Sequence, residues 1–283
     1  MVTALAIALL SAMDGLMKAA SLAVGAYSAM ACRAVIGTAL TLPLWLARGG
    51  RLPARAVLRV HALRGAVMAA MAVLFFHAVT LLPLAEAIAL SFVAPLIALY
   101  LAAVTLGERI AARAVWASLA ALLGVLVICW PRLGADTSPR GGEGIAALLA
   151  SALLYAWHLV LQRRVSQIAA PQEIAFFQNG LVLLLLGAAA PFLIRWPAPA
   201  TWLPIALSAG LAVAAQLLLS WAYARAEAQV LVPIEYSAFV WSALVGWIGF
   251  AEPLGPATAA GAAIIVVACL IAAKTAPPEP VAA

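Results

Sequence analysis

The sequence predicts an all-α integral membrane protein, with ten transmembrane helices in two inverted five-helix repeats. Three observations carry that expectation. Apolar residues are 67% and charged residues 9% of the 283, against about 45–50% and about 25% in a soluble domain. Apolar runs able to cross ~30 Å of hydrocarbon, ~20 residues each, recur ten times. The two halves also match at a constant offset of 144 residues. This composition excludes a soluble globular protein, a disordered chain and a nucleic-acid binder. The lipid bilayer is the implied partner, and the net charge of +6 orients helices rather than holding a polyanion.

The runs lie near 2–22, 26–47, 61–82, 84–106 and 113–130, then 144–165, 172–193, 201–225, 229–250 and 255–274. The first carries no basic leader segment and holds Asp14 and Lys18 internally, so it reads as a retained helix rather than a signal peptide. The expected organisation is a first repeat over 1–130, a periplasmic linker over 131–143, a second, inverted repeat over 144–274 and a disordered tail over 275–283. Pro277, Pro278 and Pro280 stop the last helix. Cys32, Cys129 and Cys269 lie in apolar runs without pairing spacing and read as small buried hydrophobes.

Orientation follows from Lys and Arg. With the N-terminus in the cytoplasm, eleven fall inside: Arg48, Arg51, Arg55, Arg59, Arg64, Arg109, Arg113, Arg163, Arg164, Arg225 and Lys274. Four fall outside: Lys18, Arg132, Arg140 and Arg195. The asymmetry places both termini in the cytoplasm of a bacterial-type inner membrane.

The 144-residue offset sets Arg51 and Pro53 on Arg195 and Pro197, and Glu108 on Glu252. Five spans per half is an odd number, so the second half enters the bilayer upside down, an arrangement of secondary transporters with a midplane substrate site. The fourth span reads Ala85-Glu86-Ala87, then Ala94-Pro95, then Gly107-Glu108-Arg109; the ninth ends Gly249-Phe250-Ala251-Glu252-Pro253. With the five-plus-five layout, these motifs resemble the EamA-type drug/metabolite transporter superfamily, over essentially the whole chain. The resemblance implies ten helices, a central cavity and export or exchange of small metabolites. Bacterial members with this layout include exporters of aromatic and other amino acids, and carriers of riboflavin-like or adenosylmethionine-like solutes. Phe239 stands where the mirror of Pro95 would be, so the halves are not interchangeable.

Ionisable groups at membrane depth are functional candidates by default. At ~1.5 Å per residue, Asp14, Arg33, His77 and Ser91 lie about 8–12 Å below the outer helix ends. Lys18, four residues after Asp14, shares its face. Two readings stay open: an ion cluster locking the first two helices, or a charged end of a substrate cavity. The offset carries Asp14 to His158, Lys18 to Gln162, His77 to Trp221 and Ser91 to Glu235. The mirror cluster is therefore aromatic with one acid, and Tyr155, Trp157, Tyr236 and Phe239 join it as candidate walls. Pro95 is the candidate hinge, because a proline removes a helix hydrogen bond.

No metal-ligand spacing, nucleotide loop or catalytic motif appears. The expectation is a non-enzymatic secondary transporter needing no cofactor or metal and working by alternating access. A monomer is compatible with it. Charges of both signs beside aromatic walls suit amino acids, aromatic ones included. Riboflavin-like and adenosylmethionine-like metabolites are the alternative, and a membrane enzyme or sensor is the alternative from another class. Should transport be proton-coupled, Glu235 is the expected carrier, since Arg33 and Lys18 map to Phe177 and Gln162 and leave no base near it.

Overall fold

A computed structural model describes residues 1–91, 93–106, 112–130, 139–226, 228–252 and 255–274. Phe92, the Gly107-Glu108-Arg109 stretch, most of the 131–143 linker and the 275–283 tail lie outside the described residues, as do the side chains of Glu86 and Pro95. The described residues are helical, with no strand among them. The helices are α1 (Val2–Val24), α2 (Ala26–Leu46), α3 (Arg55–Leu81), α4 (Leu84–Ser91), α5 (Val93–Leu106) and α6 (Ala112–Cys129). They continue as α7 (Pro139–Ser166), α8 (Pro171–Leu193), α9 (Pro199–Arg225), α10 (Ala228–Glu235), α11 (Ala238–Phe250) and α12 (Pro256–Lys274).

Local chemistry sets several boundaries. A single residue, Gly25, joins α1 to α2 at φ 86°, a backbone region a side chain rarely adopts. Prolines open α8 and α9 in the first turn, where the missing N–H costs no helix bond.

Among the described residues, six helices are long and apolar enough to cross a membrane: α1, α2, α3, α7, α8 and α9. Shorter apolar stretches run Val115–Val127, Ala238–Phe250 and Ala259–Ala268. The ninth span is interrupted, although the sequence places its hinge candidate, Pro95, in the fourth. Its helix ends at Glu235, and Tyr236 and Ser237 form a turn. There the Ser237 N–H bonds Ile234 O at 3.0 Å, an i−3 partner in place of i−4.

Packing pairs α1 with α9, α3 with α7, α2 with α8 and α6 with α12. The last pair is close because both helices are glycine-faced: a Cβ on Gly124 would sit 2.8 Å from the Gly261 carbonyl oxygen. Polarity is turned inside out relative to a soluble protein. Arg33, Arg64, Lys18, His158, Gln162 and Glu235 are buried, while Trp116, Trp130, Trp196 and Trp247 are exposed with many leucines. That distribution suits a lipid-facing surface around a polar interior. Arg64, counted among the inner charges, is buried on α3 with 1% of its surface exposed.

Candidate functional site

A cavity of about 190 Å³ occupies the middle of the bundle. Four long helices, α1, α3, α7 and α9, each present it with one stripe. Ile7, Leu10, Ser11 and Asp14 come from α1, and Met68, Met71, Ala72, Phe75 and Phe76 from α3. Ser151, Tyr155, His158 and Gln162 come from α7, and Ala212, Gln216, Leu219 and Tyr223 from α9. These positions recur every three or four residues, the spacing of one helix face. Arg33 of α2, Ser91 of α4, Gln178 of α8 and Glu235 of α10 complete the polar lining. No described residue of α6 or α12 lines it.

The interruption after Glu235 places that acid at a helix end facing the cavity. Two phenols hold it: Tyr155 Oη donates to Oε2 at 2.7 Å and Tyr223 Oη to Oε1 at 2.5 Å. Hydrogen bonds to a charged acceptor are stronger than neutral ones. Asp14 is half-buried and makes no hydrogen bond or ion pair within 4.0 Å among the described residues. Arg33 acts on it through charge without touching it. The Arg33 guanidinium reaches only thioether sulfurs, Met13 Sδ at 3.8 Å and Met30 Sδ at 3.4 Å, and its Nε has no partner. Sulfur is a weak acceptor, so both charges remain available to a ligand. His158 stacks on Tyr155 with ring centroids 6.4 Å apart, and its Nδ1 has no partner. The remaining wall is soft: Met13, Met68 and Met71 adapt to irregular shapes.

Of the residues singled out from sequence, the cavity collects Asp14, Arg33, Ser91, Tyr155, His158 and Glu235. It does not collect the other six. Lys18 lies one turn beyond the cavity on the Asp14 face. Its Nζ donates to Glu252 Oε1 at 2.8 Å and to Leu82 O at 3.4 Å, not to Asp14. His77 is largely exposed and bonds Glu143 Oε1 through Nε2 at 2.9 Å. Trp221 faces outward, with the Arg225 guanidinium 4.2 Å above its ring. Trp157 sits two residues from both Tyr155 and Leu159, so it points away from the stripe they form. Tyr236 and Phe239 are fully buried in the packing core instead. The common cause is that depth along a helix fixes height but not azimuth, and one residue of offset turns a side chain by ~100°.

Sequence reasoning named Gln162 only as the mirror of Lys18, and missed Gln178, Gln216, Tyr223 and the methionines. A search for ionisable groups passes over amides, although an amide in an apolar span carries a similar requirement for a partner. Behind the wall, Arg64 Nη2 donates to the Oε1 atoms of Gln162 and, at 3.2 Å, Gln216. The glutamines in turn donate to Ser220 Oγ at 3.1 and 2.7 Å. No group of three His, Cys, Asp or Glu that could hold a metal occurs among the described residues.

Comparison with known proteins gives a consistent result. The pattern of the EamA-like transporter family matches the chain twice, over residues 1–130 and 142–273. A pseudopaline exporter, CntI, of Pseudomonas aeruginosa is 29% identical over 269 residues, covering 94% of this chain and 92% of its own. A riboflavin transporter of Brucella anthropi is 27% identical over 244 residues, covering 83% and 84%. A solved crystal structure at 25% identity superposes with a TM-score of 0.77, over 97% of this chain and 96% of its own.

Proposed function

We propose, from the premise that the chain belongs to the EamA-like transporter family, that it is a secondary transporter of small zwitterionic metabolites, amino acids among them. The chain is a multi-pass membrane protein of a transporter family, so a small molecule in a membrane is the partner. The observation that carries the substrate class is the lining of one cavity by Asp14, Arg33 and Glu235. A zwitterion needs a partner for each charge, and charges buried without partners are costly. Asp14 and Glu235 would receive the ammonium group and Arg33 the carboxylate, while Met68, Met71 and Phe75 enclose an apolar or aromatic side chain.

The working cycle we infer is alternating access between two inverted five-helix repeats, 1–130 and 144–274. Support comes from the family pattern matching once per half. It comes also from packing in which α1 with α9 mirrors α7 with α3. The Tyr236–Ser237 turn is the hinge in the second half, and Pro95, in the first turn of α5, is the candidate in the first. The charge asymmetry favours cytoplasmic termini: without the buried Arg64, Arg163 and Lys18 it is nine against three. Glu235 contacts two phenols and, among the described residues, no base, which makes it the group to carry a coupling proton. In liposomes, Glu235→Gln is expected to abolish stimulation of flux by a pH gradient; retained stimulation overturns that role.

A second reading has its own support. Three amides, Gln162, Gln178 and Gln216, line the wall, and both donate to and accept from neutral heterocycles. A flavin is the ligand they would suit, as in the riboflavin transporter relative. Counterflow in liposomes holding the purified protein decides between the two. With preloaded amino acids, riboflavin and nucleoside conjugates, the expected result is exchange of amino acids. Exchange of riboflavin alone contradicts the zwitterion reading.

A further inference from the structure

The cavity has a cation the proposed zwitterion does not use. Arg64 is 1% exposed, yet three of its five N–H donors, on Nε and Nη1, have no partner. The two bonds it does make go to uncharged amide oxygens, Gln162 and Gln216. No carboxylate lies within 4.0 Å of it among the described residues. His61, one turn earlier on α3, is taken up by Glu173 at 3.1 Å. A buried guanidinium short of acceptors is a costly arrangement unless something supplies them. Its two amide partners line the cavity, so the cation stands one side chain behind the wall. A pivot of those amides would bring it to the ligand.

We propose that Arg64, with Gln162 and Gln216, is a second anion subsite, distinct from Arg33, and that the transported zwitterion carries a second carboxylate which docks there. This rests on the zwitterion reading above and narrows it. A planar carboxylate can take two parallel N–H bonds from a guanidinium, which a single amide oxygen cannot. The glutamines are suited to the exchange: each keeps a serine partner for its NH₂ group, Ser220 for both, when its oxygen leaves Arg64.

The test is competition for flux by pairs that differ in one carboxylate: 4-carboxyphenylalanine against phenylalanine, and glutamate against glutamine. In the native protein the diacid of each pair is expected to compete about tenfold better, the factor that ~1.4 kcal/mol provides. In Arg64→Gln the preference is expected to fall to about one. Gln216→Glu is the second variant, nearly isosteric, which places an internal carboxylate against Arg64; it too is expected to erase the preference. A native preference that survives both variants overturns the subsite and leaves the zwitterion reading standing. So does a native protein that competes equally with both members of each pair, in which case water alone completes Arg64. If no member of any pair competes, the zwitterion reading fails and takes the subsite with it. A readout independent of flux is the melting temperature of the purified protein in acetate. The rise is expected to shrink in Arg64→Gln and, separately, in Arg33→Gln, each variant leaving the other site's share; a rise indifferent to Arg64 contradicts the proposal.

Discussion

Lys18 and Gln162 occupy equivalent positions in the two halves, yet their surroundings differ in kind. Beyond one end of the cavity, Lys18 is ion-paired with Glu252. Its partner Glu252 also accepts the Leu84 N–H at 3.3 Å, so one carboxylate ties α1, the start of α4 and the end of α11. Gln162, at the other end, meets a full positive charge on Arg64 with only a neutral amide. Arg64 and Leu82 are eighteen residues apart along α3 and its cap, about 27 Å. At one end the cation is thus neutralised by an acid of the protein, with only Glu252 Oε2 left without a partner, and at the other a cation meets no acid and leaves three donors open. The difference separates a structural closure from a place where a ligand can supply what is missing.

Breaking the closed end should have the largest effect. Lys18→Met strands Glu252, and removing one partner of a buried pair costs about 3 kcal/mol or more. Thermal melting of purified protein is expected to show a clear drop, partly recovered in the double variant with Glu252→Gln. An unchanged melting point would mean that water already replaces the pair. Next in size is the clamp on the acid. Tyr223→Phe removes a charge-assisted bond worth about 1.5–3 kcal/mol, and flux is expected to fall at least tenfold with expression intact. Arg64→Met sharpens the contrast from the open side. Because no anion is left behind, stability should hold or rise slightly, the opposite sign to Lys18→Met. A large drop there would reveal that the amides alone satisfy the cation. Smallest is His77→Ala. An exposed pair such as His77 with Glu143 is worth ~0–1 kcal/mol, so flux and melting should both stay near native.

Span positions were readable from sequence because apolar length is a one-dimensional property, and the described helices start and stop within a few residues of the apolar runs, α3 and α7 excepted. Those two extend at their beginnings into polar stretches that carry no apolar signal. Asp14, Arg33 and Glu235 were legible as site candidates because an ionisable group in an apolar run stands out. Lys18 shows the limit: its partner Glu252 lies 234 residues away, and no local spacing points to it. Trp221 was chosen for composition and depth, but the face of α9 that meets the cavity belongs to Gln216 and Tyr223, which the same stretch contains. The turn at Tyr236–Ser237 holds no glycine or proline, but Pro233 lies three residues before it in α10; sequence reasoning passed over that proline and took Pro95 as the hinge.

The central claim is that one cavity holds both charges of its substrate. Flux into liposomes of three analogues tests it directly: phenylalanine, phenethylamine, which lacks the carboxylate, and 3-phenylpropionate, which lacks the amine. The account predicts saturable flux of phenylalanine alone. It further predicts that this flux is lost in Asp14→Asn with Glu235→Gln, and separately in Arg33→Gln. Equal flux of phenethylamine, or phenylalanine flux that survives both the acid and the Arg33 variants, would contradict it.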